Sequence, residues 1–193
     1  MSNQTEIVNL ALAHIAVNSI TDIDELSTPA REAKRIWDIV VDEVLSDNKA
    51  QWSFATYTTT LAQLEDAPII KYSYAYQLPT DFLRLIELND ANEYEITAYN
   101  VQGRSLLCDT DSPVYITYVQ RISEPENFSP KFASCLSARL AYYLANKLAK
   151  DKGAQDRCDK LYNTLLSESV HADIENMTDE DRIEGSWIQK RLY

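Results

Sequence analysis

Two histidines, three cysteines and thirty carboxylates are the side chains of this chain best equipped for chemistry. His14 and His171 alone supply imidazole. Neither has a His, Cys or carboxylate at the spacing a metal needs, and His171 with Asp173 and Glu175 comes nearest. His14 falls on an apolar helical stripe and reads as a packed residue. His171 reads as a solvated residue near a helix end, where a cation suits the dipole. Cys108, Cys135 and Cys158 are odd in number and lack metal or redox spacing, so free thiols are expected. Cys135 and Cys158 lie on apolar stripes, where Cys behaves as a small hydrophobe. The three glycines are scattered, which leaves no phosphate-cradling loop and no Gly-x-Ser-x-Gly elbow. A glycosidase needs only two carboxylates about 5 to 10 Å apart, and thirty acidic residues guarantee such a pair by chance. The expectation is no catalytic residue, no cofactor and no metal.

Aromatic residues offer a different chemistry, that of contact. Tyr72, Tyr74 and Tyr76 alternate at strand spacing. They read either as cross-strand packing or as a protein-binding face, since tyrosine is enriched at interfaces. Base stacking is a third reading, but Lys71 and Arg84 are the only cations near them. At the end of the sequence, Trp187, Ile188, Arg191, Leu192 and Tyr193 gather apolar bulk beside a cation. Each apolar side chain there is worth about 1.5–3 kcal/mol when buried. Aromatics and Arg also anchor interfaces. The stretch is expected to dock on a neighbouring subunit or ring.

The elements that must carry these residues follow from periodicity. Apolar positions at helical spacing predict helices over about 4–17, 28–48, 130–150 and 154–173. Thr28-Pro29 and Ser129-Pro130 each place a hydroxyl before a proline, the signal of a helix start. Gly153 is expected to close the third helix. Between the second and third helices the period changes to two. Strands are expected from Phe54 to Leu61, at Tyr72–Tyr76, Phe82–Leu88, Tyr94–Ala98, Leu106–Cys108 and Val114–Gln120. The fold class expected is α+β, mainly α: a four-helix bundle with a small antiparallel β lobe, about 52–121, inserted between the second and third helices. One domain would cover 1–176, with an extended C-terminal arm over 177–193.

A net charge of −12 argues against a surface that grips nucleic acid. No basic region opens the sequence, and no apolar run approaches the roughly 20 residues of a membrane span, so neither a signal peptide nor a membrane partner is expected.

Several short pieces, in order, resemble one family. They are Ala11-Leu12 with Ile15 and Ile20, the run Ala30 to Leu45, Trp52-Ser-Phe-Ala55, and Tyr76-Gln-Leu-Pro-Thr-Asp-Phe-Leu-Arg84. Tyr115-Ile-Thr-Tyr118 and Phe128-Ser-Pro-Lys-Phe132 leading to Arg139-Leu-Ala141 complete the set. From about Glu6 to Leu148 the chain resembles the head-to-tail adaptor, or tail tubular protein A, family of short-tailed bacteriophages. The resemblance implies a homo-oligomeric ring of twelve subunits beneath the capsid portal, made in the host cytoplasm and built into the virion. Its partners would be the portal protein, the tail nozzle protein and, in some phages, tail fibres. DNA would pass through the channel without sequence-specific binding, during genome retention and ejection. A helical part with a small β-rich lobe is implied too, and a C-terminal arm reaching toward the portal. The alternatives are a head-completion or minor tail protein of a long-tailed phage and a carboxylate-dependent polysaccharide hydrolase.

Overall fold

The computed structural model describes residues 3–66, 68 and 70–176, with side chains placed as far as 169. The chain divides into two compact units, one of residues 1–53 with 125–193 and one of residues 54–124. Each has its own core.

The first unit is helical. Helix α1 spans Gln4–His14, and its start is a capping box: the Asn3 side chain accepts from the Glu6 N–H at 2.8 Å, while the Glu6 carboxylate accepts from the Asn3 N–H at 3.0 Å. It stops short of the expected 17 because Ala16 takes a left-handed conformation (φ 54°), a stop that Gly would normally announce. The acidic loop after it is tied back to the helix. Asn9 donates its amide to the Ile20 carbonyl at 2.9 Å and accepts from the Ile20 N–H at 2.8 Å. Helix α2 spans Thr28–Leu45. Its cap is Ser27, one residue before the expected Thr28, and the Ser27 hydroxyl accepts from the Ala30 N–H at 3.3 Å.

Helix α3 spans Pro130–Leu144, with Ser129 as its cap. Phe132, Ala133, Cys135, Leu136, Ser137, Ala138, Leu140, Ala141 and Leu144 are all buried, which wraps most of its circumference. A helix buried nearly all round is an axis, not a wall. Helices α1, α2 and α4 (Lys152–Asn176) all pack against it. Small residues at 133, 137, 138 and 141 let those neighbours approach closely. Helix α3 runs on into a π turn, Ala145–Ala149, and then Lys150 turns left-handed (φ 53°). Asp151 begins α4 by accepting from the Gly153 N–H at 2.8 Å, so Gly153 lies inside α4's first turn and does not close α3. Ala154, Cys158, Tyr162, Leu166 and Ser169, four or three residues apart, form the buried stripe of α4.

The second unit holds seven strands: β1 Thr56–Thr60, β2 Ala62–Gln63, β3 Tyr74–Gln77, β4 Phe82–Asn89, β5 Tyr99–Gln102, β6 Ser105–Cys108 and β7 Tyr115–Gln120. They form two antiparallel sheets, β1-β7-β4 and β2-β3-β6-β5. Ile116 and Tyr118 of β7 and Leu88 of β4 share one core with Tyr76 of β3 and with Leu106 and Cys108 of β6. Both sheets therefore close over a common interior.

This corrects the expected fold class. The described residues form an α+β structure with four helices and two antiparallel sheets holding seven strands in all; it is not a four-helix bundle with a small lobe. Two physical reasons account for the difference. Ala133, Ser137, Ala138 and Ala141 extend the buried surface of α3 around the helix, which a pattern of large apolar residues does not show. The short strands, read singly, gave no sign that they split into two sheets able to enclose a core of their own. The segment Tyr94–Ala98, expected as a strand, makes only an isolated bridge between Glu95 and Asn89.

Candidate functional site

The densest polar cluster lies in the helical unit. Arg139, on α3, presents its guanidinium to Glu43 of α2 through both Nε (2.9 Å) and Nη2, and Nη1 reaches Asp159 of α4 at 3.5 Å. The same guanidinium carbon sits 4.9 Å from the Tyr142 ring centre and 5.2 Å from those of Tyr143 and Tyr162. The Tyr143 hydroxyl donates to the other Glu43 oxygen at 2.9 Å, and the Tyr162 hydroxyl donates to Asp47 at 2.8 Å. Burial alone would lower the Arg139 pKa, but the Glu43 carboxylate beside it raises it. Burial, then Asp47, pushes the Tyr162 phenol far up. A planar cation that gives two N–H groups to one Glu43 oxygen and is faced by three rings ties three helices together. These contacts join side chains of α2, α3 and α4.

A second feature of this unit is an aromatic clasp. The Trp52 indole N–H donates to the Val44 carbonyl at 3.0 Å, and its ring meets Phe132 edge-on at 5.0 Å. Phe128 packs on Phe132 from 4.7 Å. Trp52 precedes the chain's departure from the helical unit and Phe128 follows its return, so Phe132 receives both crossings.

In the β unit the expected contact face resolves differently. Tyr76 is fully buried in the common core, and its hydroxyl donates to the Thr110 carbonyl at 2.8 Å. Tyr74 packs against that same core, whereas Tyr72 is buried in a separate cluster with Ala75 and Leu107. Strand alternation begins only at Tyr74. Lys71 is left-handed (φ 78°), and Ser73 is held by Asp109 through its N–H at 2.9 Å, which sends Tyr72 to the opposite face. These three tyrosines pack the sheet and present no shared exposed face.

Other tyrosines do reach solvent. Tyr57, Tyr94, Tyr99 and Tyr115 are exposed, as is Val101. Tyr94 is 72% exposed, the most open aromatic side chain of this unit. Tyr57 lies on β1 and Tyr99 on β5, each the outer strand of its sheet, while Tyr94 precedes β5 and Tyr115 opens β7. A half-buried polar anchor sits just before β4. Asp81 accepts from the Tyr118 hydroxyl at 3.1 Å and from the Gln120 amide at 2.6 Å, and burial, then Asp81, pushes the Tyr118 phenol up to about 12.

The other residues singled out by type are placed as follows. All three cysteines are free and buried; burial pushes the Cys135 thiol up to about 12 and raises those of Cys108 and Cys158. His14 ends α1 with its ring half-buried, and burial lowers its pKa despite the favourable helix C-terminus. Because the Ser137 hydroxyl donates to the Ser134 carbonyl, the His14 Nε2, 3.4 Å away, is left to donate to Ser137. His171 lies on α4 with its side chain beyond those described. Trp187, Ile188, Arg191, Leu192 and Tyr193 lie outside the described residues. Among the described residues no group of three or more His, Cys, Asp or Glu is placed to hold a metal ion, and no helix is long and apolar enough to cross a membrane. Comparison with known proteins finds no matching family model and no matching curated protein.

Proposed function

We propose that this chain is a virion structural protein that joins the capsid portal to the tail nozzle as a subunit of a ring adaptor. The observation that carries an assembly role is a set of exposed tyrosines on the β unit, Tyr57, Tyr94, Tyr99 and Tyr115, none of them part of its buried core cluster. Tyrosine carries apolar area at low entropic cost and keeps a polar handle, which is the chemistry of contact surfaces. The resemblance in motif order supports the adaptor in particular. Three of its residues, Trp52, Phe128 and Phe132, form the clasp through which the helical unit holds both crossings to the β unit.

In this reading the helical unit is the ring's body, and the net charge of −12 opposes association of free copies at low concentration and lets DNA phosphates slide past without sticking. The C-terminal residues Trp187–Tyr193 supply a further contact to a neighbouring subunit or to the portal. The reading requires no turnover of any substrate.

The test is mass measurement of the purified chain alone and then with the portal protein. Expected is a complex that carries a ring of copies, twelve in the adaptor case, on the portal. A chain that ignores the portal at every ratio, or that electron cryomicroscopy locates away from the head–tail connector, would defeat the reading.

A further inference from the structure

Among the described residues strand β5 has a neighbour on one side only, because it ends the sheet β2-β3-β6-β5. All four of its residues, Tyr99-Asn100-Val101-Gln102, are exposed. Proteins usually protect such an edge with a lysine, a proline, a bulge or a covering segment. Strand β5 has no Lys or Pro, and its pairing with β6 runs unbroken from Tyr99–Cys108 to Gln102–Ser105. The hairpin closes through Gly103 (φ 60°) and Arg104. Exchange pairs alternate from such a turn, so the N–H groups of Tyr99 and Val101 point away from β6 toward an absent neighbour. Their side chains share the face of Cys108 and Leu106, both in the core, yet stand 41% and 38% exposed. An apolar row thus continues past the last strand.

The approach to this edge is acidic. Glu93 and Glu95 flank Tyr94 in the exposed segment leading into β5, and residues 54–124 carry ten acidic side chains against four basic. Outside the described helices and strands the sequence contains a short stretch of complementary character, Trp187-Ile-Gln-Lys-Arg-Leu-Tyr193, with two cations, no acidic side chain and two aromatics. In extended form it would set Ile188, Lys190 and Leu192 on one side and Trp187, Arg191 and Tyr193 on the other.

We infer that the open edge of β5 takes Trp187–Tyr193 of a second copy of this chain as an added strand. Main-chain hydrogen bonds to Tyr99 and Val101 give the attraction, and Lys190 and Arg191 answer the acidic approach. Such a contact is head-to-tail, and repeated copies close into a ring where the rotation between them closes. The inference takes from the ring reading only that copies meet side by side.

The experiment uses full-length chains in analytical ultracentrifugation at rising concentration. Wild type forms species beyond a dimer. Val101→Pro, which removes one outward donor, and the double change Lys190→Glu with Arg191→Glu each weaken association at least tenfold. An equimolar mixture of the two variants pairs one intact edge with one intact tail and stops at a dimer. Val101→Lys, which keeps the backbone donor and repels the cationic segment, stands in if circular dichroism shows the proline chain unfolded. A mixture that stays monomeric, or a folded edge variant that associates like wild type, overturns the inference. Portal-bound rings that tolerate both variants sink the edge contact and leave the adaptor reading standing. Variants that complement each other while wild type ignores the portal do the reverse.

Discussion

Arg139 answers to three helices at once, so changes there separate charge from shape. Arg139→Met removes the fork to Glu43 and the contact to Asp159. Hydrogen bonds to charged groups are worth about 1.5–3 kcal/mol, and the partial exposure of Glu43 and Asp159 places the expected loss at about 1–3 kcal/mol. Arg139→Lys keeps the charge but loses the planar fork and the stacking on Tyr142, Tyr143 and Tyr162, so it recovers less than half of that loss. Urea unfolding of the three chains checks this. His14 gives a pH test. Its folded pKa lies below the ordinary value of 6.5 because the ring is buried, so the unfolded chain takes up the proton first. Stability supplied by the neutral ring is intact above pH 6.5 and is lost as pH falls from there through the folded value. The drop in urea midpoint between pH 7.5 and 5 should be smaller in His14→Gln than in wild type; equal drops would show that His14 does not contribute.

At the scale of elements, the turn between α3 and α4 is the weak point. Lys150 is left-handed without being glycine, and a left-handed L-residue costs about 1–2 kcal/mol. Lys150→Gly relieves that cost and adds back some unfolded-state freedom, for a net gain of about 0.5–1 kcal/mol that thermal unfolding would read as a higher midpoint. A lower midpoint would mean that the lysine side chain itself holds the turn. The same residue shows where sequence reading stops. Ser27, Ser129 and the prolines behind them are visible as helix starts because a hydroxyl cap has a side-chain signature. The stops at Ala16 and Lys150 are not visible, because they rest on backbone conformations forced by packing. Strand periodicity marked β7, whose Ile116 and Tyr118 face the core, but it could not show that β7 lies between β1 and β4. Nor could it show that β3 and β6 belong to another sheet. Pairing is a property of segments far apart in sequence, and no single window contains it. The contact surface was hardest to read: the regular tyrosines at 72, 74 and 76 go inside or against the core, and those at 94 and 99, which follow no pattern, face water.

For the whole molecule, the division into two cores has a direct test. Residues 52 and 128 both touch Phe132, so Ser53 and Pro125 can be joined by a linker of about four Gly and Ser residues. The shortened chain should keep helical circular dichroism and unfold in one transition. Loss of cooperativity would show that the helical core depends on the strands. Phe132→Ala in the intact chain should cost about 3–5 kcal/mol, as for other buried aromatics, because the clasp loses its centre. Deletion of Gly185–Tyr193 should leave the unfolding midpoint of the monomer unchanged while weakening ring assembly or portal docking, and unchanged docking would remove that segment from the interface.

The burial of all three thiols has a practical consequence. Because Cys108, Cys135 and Cys158 are all enclosed and resist ionising, a maleimide dye at neutral pH finds no native target on the folded protein. A single cysteine introduced at an exposed position such as Asp156 would therefore take the label alone, without first stripping the native ones from the core. Energy transfer between copies tagged in this way would follow assembly one subunit at a time.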